Sequence, residues 1–290
     1  MAVTDKHTGL KGATYTQTKL NAETCIEFDI PKFDELFMPT MKEHPFYTYH
    51  DKPFSKERLM YSVLPLHIGP FNIAFNSEKI VNVLRCPLKI SGTRKIILPG
   101  ELLFLKEFIE YCCIYETCFN KRFEDVFIHI TVDYKEFNCG QTQRVSGWHV
   151  DGFQGCKFPE KHEIEHSYLW CSDLGTEFCV QPFFVDKIDD SKYLIFDEFK
   201  KQARESNIYT CLPNNVYIFD PYMVHRSPVA QKDTKRLLVR ITFEYQKLLD
   251  PNDTQNPKIP LKIPYKYDIR NRLGEYQIPL NLKEYGFCKL

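Results

Sequence analysis

Lys235-Arg236-Leu237-Leu238-Val239-Arg240-Ile241-Thr242-Phe243 is the stretch on which the fold turns. Successive side chains of a β-strand point to opposite faces, so Leu237, Val239, Ile241 and Phe243 make one apolar face, and Arg236, Leu238, Arg240 and Thr242 share the other. The apolar face demands a core. The opposite face sets a harder condition, because two arginines directed into a sheet interior are costly to bury unless a carboxylate sits against them. The competing reading is an edge strand with its arginines in solvent.

Working outward, Val216-Tyr217-Ile218-Phe219 reads as a second clear strand, and Val126 to Asp133 as a third with one face in the core. His129, on the other face of that strand, reads as a structural histidine. Ser167 to Cys171 is a strand closing at Ser172-Asp173-Leu174-Gly175, and strand character resumes over Thr176 to Val185. Phe71 to Asn76 and Lys89 to Leu98 are further predicted strands, the second ending at the Pro99-Gly100 turn. Between Glu101 and Asn120, Leu105, Phe108, Ile109, Cys112 and Cys113 recur at helical spacing, which predicts a helix with one face against a sheet. A short helix is expected over 196–205 with Phe196 and Phe199 inward, then a turn at Pro213-Asn214-Asn215. Many short strands with flanking helices and frequent proline turns predict a mainly β fold, a double-stranded β-helix of the jelly-roll type.

The 290 residues suffice for one large domain. Residues 1–20 are polar and read as a flexible lead; 21–290 read as a single domain, with a metal core at 145–245 and a C-terminal segment, 250–290, wrapping it. The six prolines from Pro31 to Pro70 leave no room for a long helix there. Lys+Arg and Asp+Glu are each 38, so no global basic field favours nucleic acid. No stretch approaches the roughly 18 apolar residues of a membrane span. The eleven cysteines are odd in number, scattered and without a Cys-x-x-Cys pair, which suits free thiols in a reducing, cytoplasmic compartment.

Chemistry concentrates in Gly147-Trp148-His149-Val150-Asp151-Gly152. As a strand it projects the His149 imidazole and the Asp151 carboxylate side by side, with Val150 facing away. A third ligand is available at His225, in Asp220-Pro221-Tyr222-Met223-Val224-His225, and two histidines plus one carboxylate hold non-haem Fe(II) with positions left open. Trp148, Phe153 and Tyr222 would shape the pocket around it. A rival signature, His162-Glu163-Ile164-Glu165-His166, matches the H-E-x-x-H of zinc metalloproteases. It works only on a helix, and here Pro159 precedes it and strand-like sequence follows, so a charged surface loop is expected instead.

Thr176 stands 27 residues beyond His149, and Arg236 and Arg240 stand 11 and 15 beyond His225. With H-x-D and the distal His, these offsets resemble the Fe(II)- and 2-oxoglutarate-dependent dioxygenases, and within them the taurine dioxygenase group, over residues 145–245. The resemblance implies that His149, Asp151 and His225 hold iron, that Thr176 and Arg236 bind the distal carboxylate of 2-oxoglutarate, and that Arg240 contacts an anionic substrate, with a share in holding the cosubstrate or a buttress to Arg236 as the alternatives. It implies further that O2 is consumed and that a small-molecule or peptide substrate is hydroxylated as succinate and CO2 are released. The interval between the two His is short for that group, which leaves substrate class open. A jelly-roll metal-binding protein without turnover is the alternative.

Overall fold

The computed structural model describes residues 18–31, 55–61, 63–120, 122–144, 147–151, 166–185, 187, 195–244 and 253–259. Its strands and α-helices in chain order are β1 (Ile26–Asp29), β2 (Leu66–Pro70), β3 (Val83–Lys89), β4 (Lys95–Leu98), α1 (Lys106–Phe119), β5 (Phe127–Phe137), β6 (His166–Cys171), β7 (Glu177–Cys179), α2 (Ile195–Gln202), β8 (Ile208–Thr210), β9 (Asn215–Phe219), β10 (His225–Arg226) and β11 (Thr234–Glu244). The architecture is mainly β with flanking helices. Six strands form one antiparallel sheet in the order β2-β9-β6-β11-β5-β3, and three form a smaller one, β10-β7-β8. A reciprocal pair of backbone hydrogen bonds between His149 and His225 adds residues 147–151 beside β10.

β11 lies inside the large sheet, paired with β5 from Thr234↔Phe137 to Glu244↔Phe127 and with β6 from Leu238↔Cys171 to Phe243↔His166. The edge-strand reading of its arginines is therefore overturned. Residues directly opposite in an antiparallel pair share a face, so Arg240 stands over Thr131 and Leu169, and Thr242 over His129 and Ser167. The small sheet covers this face, and the Phe178 and Phe219 rings meet 5.5 Å apart between the layers. Helix α1 covers the other. Its Phe108, Ile109, Cys112 and Cys113 are fully buried as the spacing predicts, and burial of the two larger side chains contributes about 1.5–3 kcal/mol each. Glu116, also buried, fixes the helix to the sheet by accepting hydrogen bonds from Tyr168 Oη (3.0 Å), Asn120 Nδ2 (2.7 Å) and His166 Nδ1 (3.3 Å).

Several local expectations need correction. Ile128 to Asp133 are buried on both faces rather than one, because β5 is an interior strand covered from both sides. Phe71 to Asn76 is not a strand; the ladder runs over Leu66–Pro70 and ends there. The physical reason is local: the Phe71 ring leaves the sheet for Phe108 and Tyr111 of α1, and its carbonyl accepts from Trp170 Nε1 at 2.8 Å. The segment 89–98 divides into the end of β3, a turn at Gly92 and β4, and the strand expected over 176–185 is only three residues long. Thr18, at the start of the described chain, donates to Asn82 O at 3.0 Å, and Leu20 packs on the core. From the C-terminal segment, Thr254 N donates to Leu84 O and Asn256 Nδ2 to Pro87 O and Ile97 O, so residues 253–259 lie across β3 and β4. No described helix is long and apolar enough to cross a membrane. The nine described cysteines are all free.

Candidate metal centre

The two histidines are brought together by backbone geometry. His149 N donates to His225 O at 2.9 Å and His225 N to His149 O at 2.8 Å, so the side chains leave the same face and their ring centroids are 4.4 Å apart. Gly147 takes φ +110°, a region that disfavours side chains, and its carbonyl lies 3.0 Å from His149 Nδ1. Ahead of His225, the Asp220 carboxylate accepts from Tyr222 N (2.8 Å) and Met223 N approaches Asp220 O (3.3 Å), a turn that reverses the chain after β9. Met223 O then lies 2.9 Å from His225 Nδ1. A carbonyl can only accept, so both Nδ1 atoms carry the proton and each Nε2 offers its lone pair, the tautomer a metal requires.

Asp151 completes the set. One ligand atom from each of His149, Asp151 and His225 lies within 4.8 Å of the others, the only such metal-competent group among the described residues. His225 Nε2 is 3.7 Å from Asp151 Oδ2, and Val150 points the other way into a second core cluster. Burial pushes the Asp151 carboxyl up, but Arg240, His225 and His149 outweigh it and hold the group well below the usual carboxylate range. It is thus an anion between two imidazoles, a donor set that fits a divalent ion favouring mixed nitrogen and oxygen ligands. Phe178 and Phe219 stand 5.4 and 5.2 Å from the His225 ring and Phe196 6.3 Å from that of His149, an aromatic wall on one side of the two imidazoles.

Arg236 and Thr176 also meet as the offsets anticipate. Arg236 Nη2 donates to Thr176 Oγ1 (3.3 Å) and Cys171 Sγ (2.8 Å), Nε donates to Asp173 O (2.9 Å), and Nη1 donates to Gln143 Oε1. All of these partners are neutral. Arg236 is 0% exposed, and no carboxylate among the described residues pairs with it. A buried guanidinium without a counter-charge is expensive, so the arrangement calls for an anionic ligand. The loop that supplies Asp173 and Thr176 depends on Gly175, where a Cβ would fall 1.6 Å from Cys211 O. Arg240 differs: Nη1 donates to Asp151 Oδ2, placing this arginine at the metal carboxylate with 14% of its side chain exposed.

Of the other anticipated residues, Trp148 and Tyr222 are packing residues. Trp148 stacks under Arg226 at 4.3 Å, and Tyr222 Oη accepts from Ser55 N at 2.9 Å. Phe153 and residues 162–165 lie outside the described residues. His166 does not end a protease helix, nor does it lie on a surface loop: it begins β6, buried against Glu116. His129 is structural as expected, and burial together with Arg85 lowers its pKa to about 3. Gln143 and Asp173 O, which hold Arg236, carry no motif and were not anticipated.

No family model matches the chain, and no curated protein matches it. Among solved structures, the chain is similar to EvdO2 from Micromonospora carbonacea var. aurantiaca, at 14% identity and TM-score 0.35 over 50% of this chain and 62% of that one. The same protein complexed with 2-oxoglutarate gives 13% and 0.36 over the same shares. AviO1 from Streptomyces viridochromogenes Tue57 gives 11% and 0.35 over 69% of this chain and 96% of its own. The matched part of EvdO2 is less than two thirds of its length. Scores at this level do not establish a common fold, and the chemistry of the site stands on its own side chains.

Proposed function

We propose that this protein is an Fe(II)- and 2-oxoglutarate-dependent oxygenase on a jelly-roll core, hydroxylating a small-molecule or peptide substrate. The observation that carries the reading is a two-histidine, one-carboxylate triad tied through Arg240 to the face of β11 that also carries Arg236, a buried arginine with no carboxylate partner among the described residues. Iron bound there, with O2 and 2-oxoglutarate, supplies the oxidising power: one oxygen atom goes to the substrate, the other to succinate, and CO2 leaves.

The chain's own part is binding and orientation. His149 and His225 present Nε2 lone pairs, held in that tautomer by Gly147 O and Met223 O, and Asp151 adds the anion. Arg236 Nη2 and Thr176 Oγ1 receive the distal carboxylate of 2-oxoglutarate, matching two donors to a planar anion. Phe178, Phe219 and Phe196 pack against the two imidazoles and fix their orientation. Arg240 sits on the substrate side, orienting Asp151 and offering positive charge to an acidic group on the substrate. The spacing of Thr176, Arg236 and Arg240 favours the taurine dioxygenase group within these oxygenases.

Incubation with Fe(II), 2-oxoglutarate and O2 against a panel of small acids, amino acids and peptides tests this by mass spectrometry. The expected result is one product gaining a single oxygen atom, with succinate in matched amount. Metal-dependent binding of 2-oxoglutarate without succinate from any member would instead support a binding protein that keeps the site but lacks turnover.

A further inference from the structure

Gln143 is buried at 3% exposure on the loop that leaves β5, and every polar atom of its amide is committed. Nε2 donates to Asp133 O at 2.6 Å and to Arg236 O at 3.2 Å, and Oε1 accepts from Arg236 Nη1. Two carbonyls can only accept, so the NH2 end must face them and the oxygen must face the guanidinium; the amide cannot be turned over without breaking all three bonds. The same side chain therefore ties the β5 and β11 backbones together and fixes one edge of the Arg236 fork.

With Asp173 O on Nε and Gln143 Oε1 on Nη1, the guanidinium plane is held at two of its three nitrogens. Nη2 alone is left toward Thr176 and Cys171. The chemical type of the anchor matters as much as its position. A carboxylate in place of Gln143 would still face the guanidinium but would neutralise it and would set an oxygen against the Asp133 and Arg236 carbonyls, whereas the neutral amide holds the group and leaves its full charge for a ligand.

We propose that Gln143 is a positioning residue for cosubstrate recognition, aiming Arg236 at the distal carboxylate of a 2-oxo diacid while keeping its charge uncompensated. The inference rests on the oxygenase reading above. It makes Gln143, through Arg236, a determinant of selectivity for a 2-oxo acid with a second carboxylate over one without.

The test measures Mn(II)-dependent binding of 2-oxoglutarate and of pyruvate, which chelates the metal but has no distal carboxylate, to the full chain. Gln143→Met keeps length and removes the amide. It should weaken 2-oxoglutarate by roughly 10-fold or more, the loss expected for a hydrogen bond to a charged group, and leave Mn(II) and pyruvate unchanged. In an Arg236→Ala background it should add nothing, because the residue it positions is gone. Should Gln143→Met not fold, Gln143→Glu carries the same test, with weaker 2-oxoglutarate and unchanged pyruvate binding. Wild-type affinity for 2-oxoglutarate, equal loss for both acids, or a further loss without Arg236 would each overturn the proposal. If Arg236→Ala itself left 2-oxoglutarate binding intact, the cosubstrate reading would fall first, and the role of Gln143 with it.

Discussion

Two buried arginine clusters lie toward opposite ends of β11, and they are built on opposite principles. At one end Arg236 is surrounded by an amide, a carbonyl, a thiol and a hydroxyl. At the other, Arg85 meets Glu244 through paired contacts of 2.7 and 2.8 Å and reaches Asp253 at 3.5 Å, with His129 3.6 Å from Glu244. Both are buried and polar, so neither burial nor charge alone marks a site. What separates them is the nature of the partners: Arg85 faces carboxylates, while none of the described partners of Arg236 carries a charge. The first arrangement closes the fold by fastening residues 253–259 to β3, and the second is incomplete without an anion.

That contrast can be broken or sharpened by exchanging the readouts. The largest expected effect is on stability at the closed cluster: Glu244→Ala removes the nearer carboxylate of Arg85, leaves it Asp253, and should cost about 3 kcal/mol in denaturant unfolding, with Mn(II)-dependent 2-oxoglutarate affinity unchanged in the folded fraction. Arg236→Ala should do the reverse, weakening 2-oxoglutarate by roughly 100-fold through loss of charge-assisted hydrogen bonds, at little cost in stability. Arg236→Lys keeps the charge without the fork and should fall between the wild type and Arg236→Ala in a calorimetric titration. Arg240→Ala should leave 2-oxoglutarate within about threefold, since Asp151 and not the cosubstrate is its partner; a larger loss than for Arg236→Ala would reverse the two assignments.

The closed cluster also carries a pH slope. His129 has its pKa lowered to about 3 by burial and Arg85, from an ordinary value of 6.5. As pH falls below 6.5 the unfolded chain takes up this proton and the folded chain does not. The stability contribution is therefore complete above pH 6.5 and declines as pH falls toward 3. Urea midpoints across this window should show that slope, and His129→Phe should flatten it.

The sequence carried the site further than it carried the fold around it. Alternation in 235–243 identified both faces of β11, and the H-x-D spacing brought His149 and Asp151 to one side, although residues 147–151 form no strand and His149 makes only an isolated bridge to His225. Nothing comparable marks Gln143, which meets Arg236 from 93 residues away, or Asp173, which contributes a backbone carbonyl that any residue would supply. Burial of β5 on both faces was equally illegible, since Thr131, His129 and Asp133 are polar and lie inside because distant segments pack on them: Arg85 N donates to Thr131 Oγ1, Glu244 lies beside His129, and Gln143 Nε2 donates to Asp133 O. Arg240 shows the limit of spacing: its offset predicted its presence at the site, but its contact with Asp151 depends on how the two sheets close.

Succinate release at saturating 2-oxoglutarate and O2, compared between the wild type and Asp151→Ala with and without added Fe(II), tests the central claim most directly. Wild-type succinate release should require Fe(II) and fall by about 100-fold or more when Asp151 is lost, because a missing ligand exceeds the penalty known for an outer-shell partner. Equal succinate release from Asp151→Ala, or none from the Fe(II)-loaded wild type across the substrate panel, would contradict it.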